Sequence, residues 1–349
     1  MRIAVDKNNY TQIKNDGNEY ILLYDSEPLD FLLSTNLHCI NYKNIHYVDI
    51  NTSRYNIECM KRTDITDKHL CELPKKKDYK FVIIVPNFNN EHGVYEGKSF
   101  IRNCIESILK QSYKNFKLII VDDCSTDNSV NTIKEYAEKD DRIHLIQNKR
   151  KRYNGGSRNV AIEYALSNYD FDYFCFLDSD DWWKHENVLK HINEKLYNHE
   201  LLMVGCEMIY ADRTSKPVYN EIKCYKDLYS FTNEVWCTAW ARVIRKDKIV
   251  YFCENTLMED RVWTYRLADN INFENTINSN EILYCWNRMN TTNSVSQVRD
   301  DFWKASAYCH IGHQLQLITQ MKHKEMIPLI QARIDEGIRK LNAGEYRQF

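Results

Sequence analysis

Long apolar runs are missing from this chain. No stretch approaches the ~20 apolar residues that a membrane-spanning helix needs, and the opening MRIAVDKNNY has no apolar core of a secretory leader, so the expected location is cytoplasmic. Net charge is nearly absent as well. The 47 Lys and Arg against 49 Asp and Glu leave −2, too little for a global attraction to nucleic acid or anionic membrane. With only 5 prolines and 9 glycines among 349 residues, low-complexity and collagen-like chains are excluded. Cysteine is plentiful at 12, but no two form a C-x-x-C pair, and Cys104, Cys175, Cys206 and Cys285 sit in apolar runs. A thiol there packs as a small hydrophobe, so reduced cysteines are expected. The Walker A and G-x-G-x-x-G patterns are absent too, which removes support for nucleoside triphosphatase and dehydrogenase chemistry.

What is present is a regular alternation. Phe81 to Val85 is a continuous, largely β-branched run, as expected of a strand buried on both faces. Residues 99–111 then place Phe100, Ile101, Cys104, Ile105, Ile108 and Leu109 on one helical face. Further strands are expected at 116–121, 143–146 and 173–177, and helices at 128–138 and 157–166, the first capped from Ser125-Thr126-Asp127 and the second opened by Gly155-Gly156. Such spacings require crossover connections, so the expected fold is α/β with a largely parallel, Rossmann-like sheet flanked by helices. Later elements are a helix at 188–196, strands at 201–210, 235–244 and 282–286, a helix at 258–267 and two helices in the tail. Three parts are expected: a small N-terminal module with a linker at 1–79, a main domain at 80–300 and a helical extension at 301–349.

In an open parallel sheet, ligands bind beyond the carboxyl ends of the strands. The chain puts its chemistry there. Strand ends are followed by Pro86-Asn87-Phe88-Asn89, by Asp122-Asp123-Cys124-Ser125, and by Asp178-Ser179-Asp180-Asp181 ahead of Trp182-Trp183. Asn154-Gly155-Gly156-Ser157-Arg158-Asn159 leads into a helix, whose N–H groups and dipole favour an anion. Carboxylates, backbone donors and an arginine suit a metal-bound diphosphate, because a hard divalent cation takes oxygen ligands.

VIIVPNFNN, ILKQSYKNFKLIIVDDCSTDNS, GGSRNVAIEYA and FCFLDSDDWW, in that order over residues 80–185, resemble the nucleotide-sugar-dependent glycosyltransferases of family 2, which have the GT-A fold. TAWARVIRKDKI, LMEDRVWTYRLADN and EILYCWNRMNTTNSVS extend the resemblance more weakly. It implies a nucleobase pocket lined by Pro86 and Asn87, with Asn89 in the same loop, and Asp122 or Asp123 on base or ribose. It implies that Asp178-Ser179-Asp180 is the D-x-D signature, with Asp178 toward the ribose and Asp180, together with Asp178, toward Mn²⁺ or Mg²⁺. Asp260 of the Glu259-Asp260 pair is the implied general base, acting with inversion at the anomeric carbon. Gly156, Arg158 and Arg242 stand where the leaving diphosphate needs donors, and Trp182, Trp183, Trp240 and Trp263 are candidate sugar platforms.

The expected donor is a UDP-linked hexose or N-acetylhexosamine. The acceptor class stays open among polysaccharide, teichoic-acid-like polymer, protein and modified DNA. The basic run Lys149-Arg150-Lys151-Arg152 reads as a solvated loop or as an attractor of a phosphate-bearing acceptor. His310 and His313, three apart on a helix without carboxylate partners, read as packing residues, and the tail is one element through which copies of the chain could pair. Two other classes compete: a nucleotide-sugar-binding module without turnover, and a nucleotidyltransferase, which would need a basic glycine-rich loop that PNFNNEHGVYEG does not provide.

Overall fold

The computed structural model describes residues 2–5, 19–24, 45–49, 78–210, 238–289 and 300–345. The chain divides into two compact units, Met1–Lys77 and Asp78–Phe349. In the first, strands β1 (Arg2–Val5), β2 (Glu19–Tyr24) and β3 (Ile45–Asp49) form a parallel sheet in that order. Residues 74–77 of the expected linker and the expected serine-bearing loop beyond Met289 lie outside the described residues, up to Asp300.

The second unit is built on β4 (Phe81–Asn87), all seven residues of which are buried. Its β-branched run has no polar face, so both sides need cover, and helices supply it. Helix α1 (Phe100–Leu109) buries Phe100, Ile101, Cys104, Ile105 and Ile108 as its periodicity predicts. A small hairpin, β5 (Val94–Tyr95) and β6 (Lys98–Ser99), precedes it. Then come β7 (Phe116–Asp122), α2 (Ser129–Ala137), β8 (Ile143–Gln147), α3 (Tyr153–Asn168), β9 (Tyr173–Phe176), the short β10 (Trp182–Trp183) and α4 (Val188–Leu196). Helix α2 begins where Asp127 accepts from the Ser129 N–H at 2.9 Å. Helix α3 starts four residues earlier than its periodicity suggests, so Gly155 and Gly156 lie inside its first turn rather than ahead of it.

The remaining elements are β11 (Leu201–Ile209), β12 (Arg242–Arg245), α5 (Glu259–Asn270), β13 (Thr276–Asn287), α6 (Asp300–Gln320) and α7 (Ile327–Asn342). The strand expected at 235–244 is shorter among the described residues, because a 3₁₀ turn at Ala239–Ala241 precedes β12.

The eight-stranded sheet runs β10-β13-β11-β12-β9-β4-β7-β8. Only part of it is parallel, which corrects the expectation of a largely parallel sheet. Strands β9, β4, β7 and β8 are parallel neighbours, but β12 is antiparallel to both β9 and β11, and β10 is antiparallel to β13. Strands β11 and β13 pair in parallel. The parallel half obeys the crossover logic of its helices; the return strand β12 splices a second half onto it. The result is an α/β fold with a mixed sheet flanked by helices. No helix among the described residues is long and apolar enough to cross a membrane.

Candidate active site

The carboxyl ends of β4 and β7 are tied together by buried polar side chains. Asn87 is 1% exposed, and its amide donates to Asp122 Oδ1 at 2.9 Å and to Ser125 Oγ at 3.3 Å. The Ser125 N–H donates to Asp122 Oδ2 at 3.0 Å. Asn89 adopts the left-handed backbone (φ 54°) and accepts from the Thr126 N–H at 2.7 Å, joining the first strand-end loop to the second. Pro86 is buried within β4. Lys151 of the basic run rests its ammonium 3.1 Å from the centroid of the Phe88 ring in the same loop.

Asp123 organises the start of α3. Its carboxylate accepts from the Asn148 amide at 2.8 Å, the Arg152 N–H at 2.7 Å and the Tyr153 N–H at 2.8 Å. The helix terminus expected to offer its donors to a ligand thus gives two of them to Asp123, an anion of the chain itself. Cys124 (φ 65°) and Tyr153 (φ 59°) both hold left-handed backbone around this carboxylate. For residues with a Cβ that conformation costs roughly 1–2 kcal/mol each.

One turn into α3, Arg158 is 1% exposed and faces three carboxylates. One terminal nitrogen donates to Asp178 Oδ1 at 2.6 Å; the other donates to Glu259 Oε1 at 2.8 Å and to Asp260 Oδ1 at 3.1 Å. A single guanidinium therefore bridges the Asp178 loop at the end of β9 and the first turn of α5. The approach is close enough to require glycine: a Cβ on Gly155 would sit 2.4 Å from the Cys253 carbonyl oxygen and 3.1 Å from Glu259 Cβ. At Gly156 a Cβ would come within 2.7 Å of Arg152 Cβ. Asn159 clamps the Phe252 backbone at both ends, donating to its carbonyl at 3.1 Å and accepting from its N–H at 2.8 Å.

The acidic loop divides by burial. Asp181 is 2% exposed and accepts from the Tyr284 hydroxyl at 2.6 Å and the Asn287 N–H at 2.7 Å, so it fastens the loop to β13. Ser179 is buried and accepts from the Asn90 amide at 2.6 Å. Asp180 is half-buried, and among the described residues no side chain donates to its carboxylate. Burial, and then the charge of Asp178, push it up to about 6. Glu259, 6% exposed, is pushed up to about 7 by burial and by Asp260 beside it, against the pull of Arg158. Asp260 is also raised, chiefly by burial, but it retains partial exposure that Glu259 lacks.

These observations test whether a divalent cation fits. Asp178, Glu259 and Asp260 share the guanidinium of Arg158, and Asp180 feels the charge of Asp178, an excess of negative charge that a cation would offset. Hard oxygen donors and a carboxylate held above its ordinary pKa match Mg²⁺ or Mn²⁺. Among the described residues there is no cluster of three or more acidic, His or Cys ligands. A cation here would therefore complete its shell with water and ligand phosphates, as Mg²⁺ commonly does.

The aromatic candidates fare differently. Trp183, Trp240 and Trp263 are 6%, 3% and 0% exposed and belong to the core. Trp240 stacks on Tyr284 at 4.2 Å and Trp263 on Phe252 at 4.4 Å, so their faces are already covered, which corrects the sugar-platform reading for these three. Trp182 is half-buried and stacks on Tyr95 at 4.6 Å. Arg242 is 3% exposed, donates to the Thr238 carbonyl at 3.0 Å and lies 5.2 Å from the Trp263 ring centroid.

A model of glycosyl transferase family 2 matches residues 82–261, just over half of the chain. The chain belongs to glycosyltransferase family 2. An uncharacterized glycosyltransferase of Haemophilus influenzae is 36% identical over 112 residues, 32% of this chain and 43% of that protein. The UDP-Glc:alpha-D-GlcNAc-diphosphoundecaprenol beta-1,3-glucosyltransferase WfgD of Escherichia coli is 35% identical over 128 residues, 37% of this chain and 46% of that protein. The chain thus spans less than half the length of either relative. The crystal structure of S. aureus TarS 1-349 in complex with UDP-GlcNAc aligns with a TM-score of 0.54 at 19% identity, covering 77% of this chain and 73% of that one, which shows a shared fold.

The family 2 match runs from β4 through the first turn of α5, the segment that Arg158 closes on itself. Two features were not legible in the sequence. Asn159 stands in the glycine-rich stretch with no role of its own assigned there, yet it fixes the loop before α5, and Tyr284 reaches from β13 to hold Asp181 while its oxygen accepts from the Asp178 N–H at 3.1 Å. Neither leaves a local pattern, because both act across about 100 residues of sequence.

Proposed function

We propose that this chain transfers a sugar from a nucleoside-diphosphate donor, UDP-linked by preference, to a hydroxyl of a polysaccharide or teichoic-acid-like polymer, with inversion at the anomeric carbon. The observation that carries the reading is the Arg158 bridge, which sets the D-x-D carboxylate Asp178 and the partly exposed Asp260 on one guanidinium. Donor diphosphate and acceptor hydroxyl must meet within a few ångströms, and this bridge brings their two candidate partners to that scale. The UDP-Glc donor of WfgD and the UDP-GlcNAc ligand of TarS support a uridine donor.

In this mechanism Pro86, Asn87, Asn89, Asp122 and Asp123 shape the nucleobase pocket, and Asp178 and Asp180 would hold Mn²⁺ or Mg²⁺. That cation would supply charge stabilisation for the departing diphosphate. Asp260 accepts the proton of the acceptor hydroxyl as its oxygen forms a bond to the anomeric carbon. The bond from that carbon to the diphosphate oxygen breaks, and the electron pair leaves with the nucleoside diphosphate. A base pKa raised toward the working pH improves proton transfer. Glu259, more deeply buried on the same guanidinium, holds Arg158 and so orients Asp260.

The test is a thermal-shift panel of UDP, GDP, CDP and dTDP with and without Mn²⁺, followed by assay of UDP release from UDP-glucose and UDP-GlcNAc. A ligand at 100 times its dissociation constant adds about 2.7 kcal/mol, which a melt resolves. Wild type should respond to UDP in a manganese-dependent way and Asp180→Ala should not. Asp260→Asn should keep the shift and lose UDP release by about 10²–10⁴-fold. Release of pyrophosphate from UTP and a sugar 1-phosphate, with no UDP formed from either UDP-sugar, would move the assignment to nucleotidyl transfer, and binding without turnover of either sugar to a binding module.

A further inference from the structure

The first turn of α5, which carries Asp260, is held from two sides, and one of them lies outside the matched family stretch. From the inner side come Arg158 and Asn159 of α3. From the other comes α6, which places Ser306, His310 and His313 along one helical face at spacings of four and three. Ser306 is 0% exposed, and its Oγ accepts from the Leu257 N–H at 2.7 Å and lies 3.1 Å from the Thr256 hydroxyl oxygen. Thr256 Oγ1 in turn accepts from the Met258 N–H at 3.2 Å. His310 and His313 lie against the backbone of Met258 and Glu254. All three side chains therefore engage residues 254–258, immediately ahead of Glu259-Asp260. Met258, which precedes α5, makes no side-chain cap, so α6 supplies the ordering that a local cap would otherwise give.

Apolar side chains would pack two helices together at least as well as buried polar ones, which stabilise only when fully bonded. What polar bonds to backbone add is register: they specify where residues 254–258 stop and where α5 begins. We propose that Ser306, with His310 and His313, is a positioning residue for Asp260, so that α6 sets the geometry of the base. This rests on the reading of Asp260 as the general base.

The test compares wild type, Ser306→Ala, His313→Asn, Asp260→Asn and the Ser306→Ala/Asp260→Asn double variant in the full chain. Two readouts are used: UDP release from UDP-sugar with Mn²⁺, and amide hydrogen exchange. Ser306→Ala should lower kcat by about tenfold or more while the KM for donor and the Mn²⁺-dependent UDP shift change less than twofold, since misplacement of a reacting group costs turnover. Exchange should quicken at 254–262 and stay unchanged at 81–123. In the Asp260→Asn background the same change should add no further loss, as expected for groups that act through one another. His313→Asn, at a half-buried position, should reproduce the exchange effect even if Ser306→Ala does not fold. Wild-type turnover and exchange in both single variants, with Asp260→Asn inactive, would overturn the positioning role alone. Wild-type turnover in Asp260→Asn would overturn the base assignment and this proposal with it.

Discussion

Arg158 is the residue on which the proposed site turns. It is buried, and among the described residues it has three carboxylate partners while its Nε finds no hydrogen-bond partner. Removing one side of a buried ionic cluster leaves charge uncompensated, at a cost of about 3–5 kcal/mol. Arg158→Met should therefore lower the urea midpoint strongly at pH 7.5, and less at pH 5.5, where Glu259, pushed up to about 7, takes a proton. An equal loss at both pH values would place the stabilisation in packing instead. Asp180 gives a prediction of opposite sign. Its folded pKa, about 6, lies above its ordinary value of 3.8, so the stability it contributes is present below about pH 4 and lost as pH rises through 6. Without added metal, Asp180→Asn should be more stable than wild type at pH 8 and no more stable at pH 4, in denaturant melts. With Mn²⁺ and UDP the order should reverse.

At the scale of elements, α6 and α5 depend on each other through groups that water would otherwise hold. His310 is 2% exposed and is pushed down to about 3, chiefly by burial and then by Arg261 and His313. Its contribution to stability is thus present above its ordinary pKa of 6.5 and lost as pH falls below it. From pH 6.5 downward wild type should lose up to about 1.4 kcal/mol per pH unit relative to His310→Gln. Parallel stability curves for the two proteins between pH 7.5 and 5 would contradict that linkage. A second tie joins these elements: the Asp269 carboxylate accepts from the Lys322 and His323 N–H groups at 2.8 and 2.9 Å, fastening the far end of α5 to the turn after α6. None of this followed from the helical pattern of the tail. Two helices were legible there, but their partner was not, since periodicity reports which face is buried and not against what.

For the whole molecule, every candidate site residue from Pro86 to Asp260 lies in the unit Asp78–Phe349. A fragment of residues 78–349 should therefore keep the manganese-dependent UDP shift of the full chain; its loss in a folded fragment would assign residues 1–77 a part in donor binding. The amino-acid order alone was enough to read the strands β4, β7, β8 and β9, their crossover helices and the placing of acidic loops at strand ends. Those signals are local: a continuous apolar run has to be buried on both faces, and a turn takes Asp, Asn and Gly for backbone reasons. It also determined which carboxylates are candidates, since D-x-D and Glu-Asp are contiguous. Their division of labour is set by contacts between distant segments. Asp181 is spent on Tyr284, Asp122 on Asn87 and Ser125, and Asp123 on the start of α3, while Asp180 and Asp260 keep access to solvent. The antiparallel return of β12, the burial of Trp240 and the Arg158 bridge belong to the same class. Each depends on which distant segments share a desolvated space, and the energy of a buried charge or ring is set by those neighbours, not by the residues beside it in the chain.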